Sequence, residues 1–392
     1  MAKLTYKFDT ITGSSLRQPW ALCGTEAGDV FVMNQADGTL ARIPYQSLTP
    51  DPNPVDLKQT EVNPSGMPYY RVAAGSEDSG GDIMVLTYDG YPQGAQAMFY
   101  VPGGTGTPRA LITDSLAFLD VVEGYYNAEG VVGEAECWFA VGTTNPGNSE
   151  GPVNIAWWPL DPYDEQESDG YIPILSSPQG IAMAHGMMSG ETDRFYVTNQ
   201  ATPPSVVSIN LWKTAPPPFP ITGPELGVPG PIAAPAFIKE NTPFVFACSG
   251  FNIVRIAHSS GQIVDPALTG FGLNPRRIVS RDNNYLVGDM FILYSNDKIA
   301  RVEQFASAVD PDPIQWAPMR GCTDLCFAQS LGGGPEYLYV ASPAQNSVTR
   351  ITIIDQDEGK DSTPADLRRQ LLQQRRQARL AHKRGAANSV GQ

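Results

Sequence analysis

Residues 194–211 read RFYVTNQATPPSVVSINL. This segment contains two short strand-forming stretches, with a proline-containing turn between them. Similar pairs recur along the chain, and their first strands centre near residues 31, 85, 139, 196, 246, 292 and 339. A spacing of about 46–57 residues is typical of four-stranded β-propeller blades. The sequence therefore predicts an all-β fold, a β-propeller with seven blades.

Further apolar stretches complete each repeating unit. One precedes the hairpin, as at residues 180–184, and another follows it, as at residues 110–113. The seventh unit has no fourth strand of its own, because the chain becomes polar at residues 355–360. Residues 3–9 alternate between apolar and polar, so we expect this N-terminal strand to pair with the last hairpin and close the ring. Six or eight blades are the main alternatives, and a pair of β-sandwiches would not explain the even spacing.

The composition of the 392-residue chain agrees with many strands joined by turns. Only 17% of the residues are charged, and the chain contains 38 glycines and 35 prolines. These values argue against a helical bundle, a coiled coil and a Rossmann-type enzyme. The five cysteines are too few for a disulfide framework, so we expect most of them to be buried apolar residues. They are Cys23, Cys137, Cys248, Cys322 and Cys326.

The charge is unevenly distributed along the chain. The net charge is −15, yet residues 361–392 carry seven Lys/Arg and two Asp. Residues 1–360 therefore carry 19 basic and 39 acidic side chains. An acidic body should repel nucleic acid and anionic membranes. The chain also lacks an apolar run long enough for a signal peptide or a membrane span, which favours a cytoplasmic site of synthesis and no membrane span.

A basic C-terminal α-helix is predicted as a separate element. We divide the chain into a propeller (1–354), an acidic linker (355–363) and a basic helix and tail (364–392). Thr363 is suited to cap the helix, with Pro364 at its first position and Asp366 at capping-box spacing. The helix could be a solvated tail, could contact nucleic acid, or could dock on a neighbouring protein, and we favour docking. The predicted docking residues are Leu367, Arg368, Arg369, Leu371, Leu372, Arg375, Arg376, Arg379, Leu380, Lys383 and Arg384.

Signals for catalysis or metal binding are weak. The chain has three histidines, His185, His258 and His382, and it lacks H-E-x-x-H, G-x-S-x-G and P-loop motifs. We expect no cofactor and no zinc site. An acidic loop contains oxygen ligands of the kind that Ca²⁺ prefers, although a solvated loop explains it more simply. Its residues are Asp161, Asp164, Glu165, Glu167 and Asp169.

Two resemblances suggest functions for such a propeller. The hairpin that begins Tyr196-Val197-Thr198-Asn199 resembles the YVTN-type propeller repeats. In architecture, residues 1–354 are also similar to the tail nozzle proteins of short-tailed bacteriophages. That resemblance implies a non-enzymatic virion component, in which the propeller assembles with copies of itself or with other virion proteins and surrounds a channel for transient DNA passage. We take this structural function, with a virion location, as the main prediction.

An enzyme is the first alternative. YVTN-like propellers resemble the cytoplasmic lactonases of the 6-phosphogluconolactonase type, whose sites need a histidine, a carboxylate and an arginine facing the channel. In this sequence the nearest matches are His185, Arg276 and Arg277. The second alternative is a propeller that acts as a binding module.

Overall fold

The structure, a computed structural model, forms β-sheets throughout the part of the chain that it describes. The described residues are 4–25, 27–57, 69–74, 81–87, 96–113, 116–126, 135–144, 155–159, 170–172, 178–186, 194–210, 219–234, 237–238, 244–257, 260–272, 274–281, 289–303, 308–328, 330 and 334–355. They contain 28 strands in seven sheets, together with two 3₁₀ turns, Pro102–Gly104 and Pro343–Gln345. No helix in these residues is long and apolar enough to cross a membrane.

Each sheet is one blade, and its strands follow one another from the innermost to the outermost. The first four blades comprise blade 1 with β2 (Pro19–Gly24), β3 (Val30–Asn34), β4 (Thr39–Ile43) and β5 (Val55–Asp56), blade 2 with β6 (Tyr69–Ala74), β7 (Ile83–Thr87), β8 (Gln96–Val101) and β9 (Arg109–Thr113), blade 3 with β10 (Leu116–Tyr126), β11 (Ala135–Thr144), β12 (Ile155–Pro159) and β13 (Gly170–Ile172), and blade 4 with β14 (Pro178–Gly186), β15 (Arg194–Asn199), β16 (Ser205–Asn210) and β17 (Phe219–Thr222).

The last three blades depart from this pattern in small ways. They comprise blade 5 with β18 (Pro229–Ala233), β20 (Phe244–Ser249), β21 (Asn252–Ala257) and β22 (Ile263–Thr269), blade 6 with β23 (Pro275–Arg281), β24 (Asp289–Tyr294) and β25 (Ile299–Glu303), and blade 7 with β26 (Asp324–Ala328), β27 (Glu336–Ser342), β28 (Ser347–Asp355) and β1 (Leu4–Ile11). Among the described residues of blade 6, a bridge from Ile299 to Ile314 takes the place of a fourth strand. The short strand β19 (Phe237–Ile238) pairs in parallel with the end of β14.

The N-terminal strand closes the ring, as the sequence predicts. Strand β1 pairs with β28 in an antiparallel register that runs from Leu4 opposite Asp355 to Ile11 opposite Val348. The inner strands contact one another in the order β2, β6, β10, β14, β18, β23 and β26, and β26 contacts β2 again. The prediction of an all-β propeller is confirmed. The predicted C-terminal helix falls outside the described residues.

The core lies between neighbouring blades, which explains the continuous apolar runs in the sequence. In β3, Val30 and Val32 pack toward blade 7, whereas Phe31 and Met33 pack toward blade 2. Successive residues of a strand point to opposite faces, so a strand that is covered on both faces needs no polar alternation. The predicted burial of cysteines is confirmed for Cys23, Cys248, Cys322 and Cys326.

Turns between the second and third strands of a blade hold the start of the next blade's inner strand. The Asp297 carboxylate, in the β24–β25 turn, accepts the N–H groups of Gly321 at 2.9 Å and Cys322 at 2.8 Å. The Asn346 side chain, in the β27–β28 turn, accepts the N–H of Gln18 at 2.8 Å. Both turn residues have positive φ angles, a conformation that Asn and Asp tolerate better than other side chains. The starts of the inner strands are therefore fixed in position relative to one another.

Candidate functional site at the channel mouth

The inner strands begin together at one end of the central channel, which we call the mouth. Thr323, just before β26, donates from its hydroxyl to the carbonyl of Trp20 in β2 at 2.7 Å. Thr198 donates to the carbonyls of Gly180, near the start of β14, and Gly230, near the start of β18. These contacts join strand starts of neighbouring blades, so neighbouring inner strands run in the same direction.

A β-bulge lies near the start of six of the seven inner strands. The register shifts occur in β2, β6, β10, β14, β18 and β23. Four of these strands begin with proline, which is tolerated at the first residue of a strand because it has no N–H to donate. Bulges change the direction of nearby side chains. In β6 and β23 the residue that follows the bulge is an arginine, Arg71 and Arg277 respectively.

Both of these arginines meet the carboxylate of Asp324, the first residue of β26. Oδ1 of Asp324 lies 3.5 Å from Nε of Arg277 and 4.0 Å from Nη1 of Arg71. Asp324 is only 1% exposed, and backbone N–H groups hold both of its oxygens. Leu22 donates to Oδ2 at 2.8 Å, and Leu325 donates to Oδ1 at 2.9 Å. The carboxylate is thus a fixed anchor for two guanidinium groups.

Arg276 connects the same cluster to the backbone. Its carbonyl oxygen accepts a hydrogen bond from Nη2 of Arg71 at 3.4 Å, and its own Nη1 donates to the carbonyl of Cys322. Arg71 belongs to blade 2, whereas Arg276 belongs to blade 6 and Asp324 to blade 7. Blades 2 and 6 are not neighbours in the ring, so the Arg71 side chain reaches across the channel. Guanidinium groups that converge in this way can bind a carboxylate, a carbonyl or a developing oxyanion.

The thiols near this cluster are not suited to act as nucleophiles. Burial raises the pKa of Cys23 well above its usual range, and the nearby Asp324 carboxylate raises it further. Burial also raises the pKa of Cys326 well above its usual range. Burial raises the pKa of Cys322 to about 12. Since the thiolate is the reactive form, these three cysteines are packing residues at neutral pH.

A second cluster of charges lies at the opposite end of the channel strands and is structural. Arg281, at the end of β23, donates to Glu336 at 2.6 Å and lies 3.3 Å from Asp289. Arg301 donates to the same Asp289 oxygen at 3.0 Å. All four side chains are almost completely buried. Because cations and carboxylates are paired within the cluster, it joins blades 6 and 7 and presents no surface to a ligand.

The structure separates the three residues expected for a lactonase-type site. Arg276 and Arg277 lie at the mouth. His185 is the eighth residue of the nine-residue strand β14, and its backbone pairs with Phe237 at the far end of the channel. The side chain of His185 is outside the described part, as are His258 and His382. The backbone of His185 therefore lies at the opposite end of the channel strands from Arg276 and Arg277.

Arg71 and Asp324 are functional candidates that the sequence analysis missed. They are far apart in the chain and meet only because the ring closes. One usable signal was present, since Arg71 and Arg277 are each a cation near the start of an inner strand. The acidic loop (residues 161–169), a weak calcium candidate, and the predicted basic helix and tail (residues 364–392) lie outside the described residues. Among the described residues, no group of three or more His, Cys, Asp or Glu side chains could hold a metal ion.

Comparisons with known proteins relate this chain to enzymes with the same fold. Neither protein-family models nor curated proteins give a match. Among solved structures, a streptogramin B lyase has a TM-score of 0.57 at 11% identity, covering 89% of this chain and 98% of that one. Selenomethionine-substituted virginiamycin B lyase from Staphylococcus aureus has a TM-score of 0.55 at 14% identity, covering 90% of this chain and 100% of that one.

A third similar structure is a catalytically inactive histidine-to-alanine variant of the Staphylococcus aureus virginiamycin B lyase with quinupristin. Its TM-score is 0.56 at 14% identity, and the match covers 89% of this chain and 100% of that one. At such identities the likeness establishes the fold.

These comparisons correct two predictions. The main prediction, a non-enzymatic virion component similar to tail nozzle proteins, is contradicted, because the similar solved structures are lyases. The prediction that the chain is not an enzyme is contradicted for the same reason. The first prediction relied on a resemblance in architecture and the second on the scarcity of motifs, but one fold can carry many functions. The comparisons favour the enzymatic alternative: in fold, the chain is similar to the streptogramin B lyases.

Proposed function

We propose that this chain is an enzyme that cleaves a carbon–oxygen bond of an ester or lactone bound at the channel mouth. The observation that carries the proposal is the meeting of Arg71 from blade 2 and Arg277 from blade 6 at Asp324 of blade 7. The similar solved structures, which are lyases, support an enzymatic function for this fold.

The chemistry of such a cleavage suits guanidinium groups. Negative charge develops on oxygen during the reaction, either on an enolate and a departing carboxylate in an elimination, or on a tetrahedral intermediate in a hydrolysis. Preorganised donors aimed at that oxygen stabilise the transition state. Arg71 and Arg277 would supply these donors, and the buried Asp324 would hold both of them in place. The two arginine side chains are each 22% exposed, so a substrate can reach them.

Elimination is the favoured reaction class, and hydrolysis by a lactonase-type mechanism is the second candidate. The similar structures are lyases, which favours elimination. The raised pKa values of Cys23 and Cys326 disfavour a thiolate that would form a covalent intermediate. We do not assign the general base to His185, because its backbone lies at the far end of β14.

Mass spectrometry of products distinguishes the two reactions. The purified chain is incubated with quinupristin and with a panel of cyclic depsipeptides and aryl lactones, and the products are separated and weighed. A ring-opened product with the mass of its substrate indicates elimination, whereas a product heavier by one water indicates hydrolysis. Failure to convert any ester or lactone of the panel would contradict the proposed function.

Arginine variants then test the location of the site. We expect Arg71→Ala and Arg277→Ala each to lower kcat/KM by about a hundredfold or more, the loss typical of a missing oxyanion donor. Arg17→Ala is the matched control, since Arg17 is an exposed arginine on the mouth side whose guanidinium lies 3.5 Å from Asp37. Equal losses in all three variants would place the catalytic arginines elsewhere.

A further inference from the structure

We propose that the channel mouth binds the carboxylate of an amphipathic small molecule, whose apolar part lies on Val228 and Phe251. This inference rests on the proposed function, because it names the chemical class of the acid that cleavage at the same site would release. The argument combines the geometry of the arginines with two exposed apolar side chains on the same end of the propeller.

The arginine geometry suits a second carboxylate. Arg71 and Arg277 share a single oxygen of Asp324, at 4.0 and 3.5 Å. Charge-assisted hydrogen bonds between guanidinium and carboxylate are about 2.7–2.9 Å long. Both guanidinium groups therefore approach the same Asp324 oxygen, but their nitrogen–oxygen distances are longer than those of a bidentate arginine–carboxylate pair. Two guanidinium groups that approach one oxygen supply donors of the kind that the oxygens of a ligand carboxylate accept.

The exposed fractions of the three side chains also favour a ligand at the arginines. Asp324 is 1% exposed, whereas the side chains of Arg71 and Arg277 are each 22% exposed. The anchoring carboxylate is thus inside the protein, whereas part of each arginine side chain is accessible to solvent.

Two exposed apolar side chains lie at the same end of the propeller as these arginines, in the blade next to that of Arg277. Val228 is 61% exposed and immediately precedes β18, the inner strand next to β23 in the ring. Its N–H donates to the Ser249 hydroxyl at 2.9 Å, which ties it to the β20–β21 turn that carries Phe251. Phe251 is 50% exposed. Two other exposed large apolar side chains, Phe219 at the start of β17 and Ile354 at the end of β28, lie toward the far end of the strands.

The two arginines and the two exposed apolar side chains together indicate the chemical class of the ligand. A simple anion would use the arginines and leave Val228 and Phe251 in water, and a purely apolar molecule would leave the arginines without a ligand. An aryl or alkyl group joined to a carboxylate satisfies both surfaces, since burial of a phenyl ring contributes roughly 1.5–3 kcal/mol.

Isothermal titration calorimetry with the full chain tests this inference without requiring turnover. The probes are 4-phenylbutyrate, acetate, the neutral 4-phenylbutyramide and phenyl phosphate. We expect 4-phenylbutyrate to bind at least about tenfold more tightly than either acetate or the amide. Equal affinities for 4-phenylbutyrate and the amide would overturn the carboxylate assignment, and equal affinities for 4-phenylbutyrate and acetate would overturn the apolar assignment. Tighter binding of phenyl phosphate than of 4-phenylbutyrate would also overturn the choice of carboxylate.

Variants assign the binding to the proposed residues. Arg71→Lys keeps the charge but loses the planar fork, and we expect it to weaken 4-phenylbutyrate binding by about tenfold. Phe251→Ser should abolish the preference for 4-phenylbutyrate over acetate, whereas Arg17→Lys should bind like the unmodified chain. Urea unfolding of each variant establishes that it is folded, and unchanged binding in a folded Arg71→Lys variant would overturn the inference.

The two proposals fail separately. Carboxylate binding that depends on Arg71, without conversion of any ester or lactone, would refute the proposed enzymatic function and leave the carboxylate site in place. Turnover that depends on Arg71, with no binding of 4-phenylbutyrate, would refute the ligand class and leave the enzymatic function in place.

Discussion

At the scale of residues, the buried thiols and phenols give the protein a definite pH dependence. Burial raises the pKa of Cys23 and Cys326, and burial raises the pKa of Cys248 to about 12. Burial also raises the pKa of Tyr294 and of Tyr339. In the unfolded chain, thiols release their protons near pH 8.5 and phenols near pH 10, as ordinary side chains do. The folded protein keeps these protons, so its stability is complete below those values and decreases as the pH rises through them.

Urea unfolding at pH 7.5 and pH 9.5 measures this effect. Each fully buried thiol should lower the free energy of unfolding by about 1.4 kcal/mol between the two values. The variant Cys326→Ala should show a smaller decrease than the unmodified chain, because it lacks one of the groups that titrate. A free energy of unfolding that stays constant from pH 7.5 to 9.5 would contradict the burial of these thiols.

At the scale of elements, the ring depends on the pairing of β1 with β28. Arg350 in β28 is nearly buried and donates to the Asp9 carboxylate of β1 at 2.9 Å. Its guanidinium also lies 4.7 Å from the centre of the Tyr337 ring. Without the Asp9 carboxylate, the nearly buried Arg350 cation would lose this ion pair. Such a loss lowers the stability of the folded state.

We expect Asp9→Ala to lower the free energy of unfolding by about 1–3 kcal/mol, measured by urea denaturation. Lys7→Ala is the matched control on the same strand. The Lys7 ammonium lies 3.9 Å from the Asp9 carboxylate, but the Lys7 side chain is 68% exposed, so its loss should change stability by less than about 0.5 kcal/mol. Equal effects of the two substitutions would mean that the ion pair does not hold the closing strand.

Most strands could be predicted because each blade is buried on both faces, so a hairpin such as Phe244–Ser249 with Asn252–Ala257 appears in the sequence as two apolar runs. The bulges could not be predicted, because a single unpaired residue leaves no periodic signal. The meeting of Arg71 with Asp324 could not be predicted either. It depends on the ring geometry, which places strands of blades 2, 6 and 7 around one opening.

At the scale of the whole molecule, the basic C-terminal tail differs in charge from the acidic propeller, and its function is a separate prediction. The docking of residues 364–392 on a neighbouring protein stays a prediction, as do the partner, the ring-like assembly and the virion location. Light scattering after gel filtration, on the full chain and on residues 1–360, checks the docking. A tail-dependent oligomer that dissociates as salt increases would support it, because screening weakens exposed charge pairs. Identical monomeric masses for the two chains would contradict self-association through the tail.

The contact that Arg71 makes across the channel has a kinetic consequence. A molecule held at the mouth has the guanidinium groups and the anchored Asp324 behind it and bulk solvent in front. The products of a reaction there would leave by the route through which the substrate arrived, and a carboxylate product would occupy the same arginines. Product inhibition should therefore be competitive with substrate, and release of the acid should limit turnover more strongly as its apolar part grows.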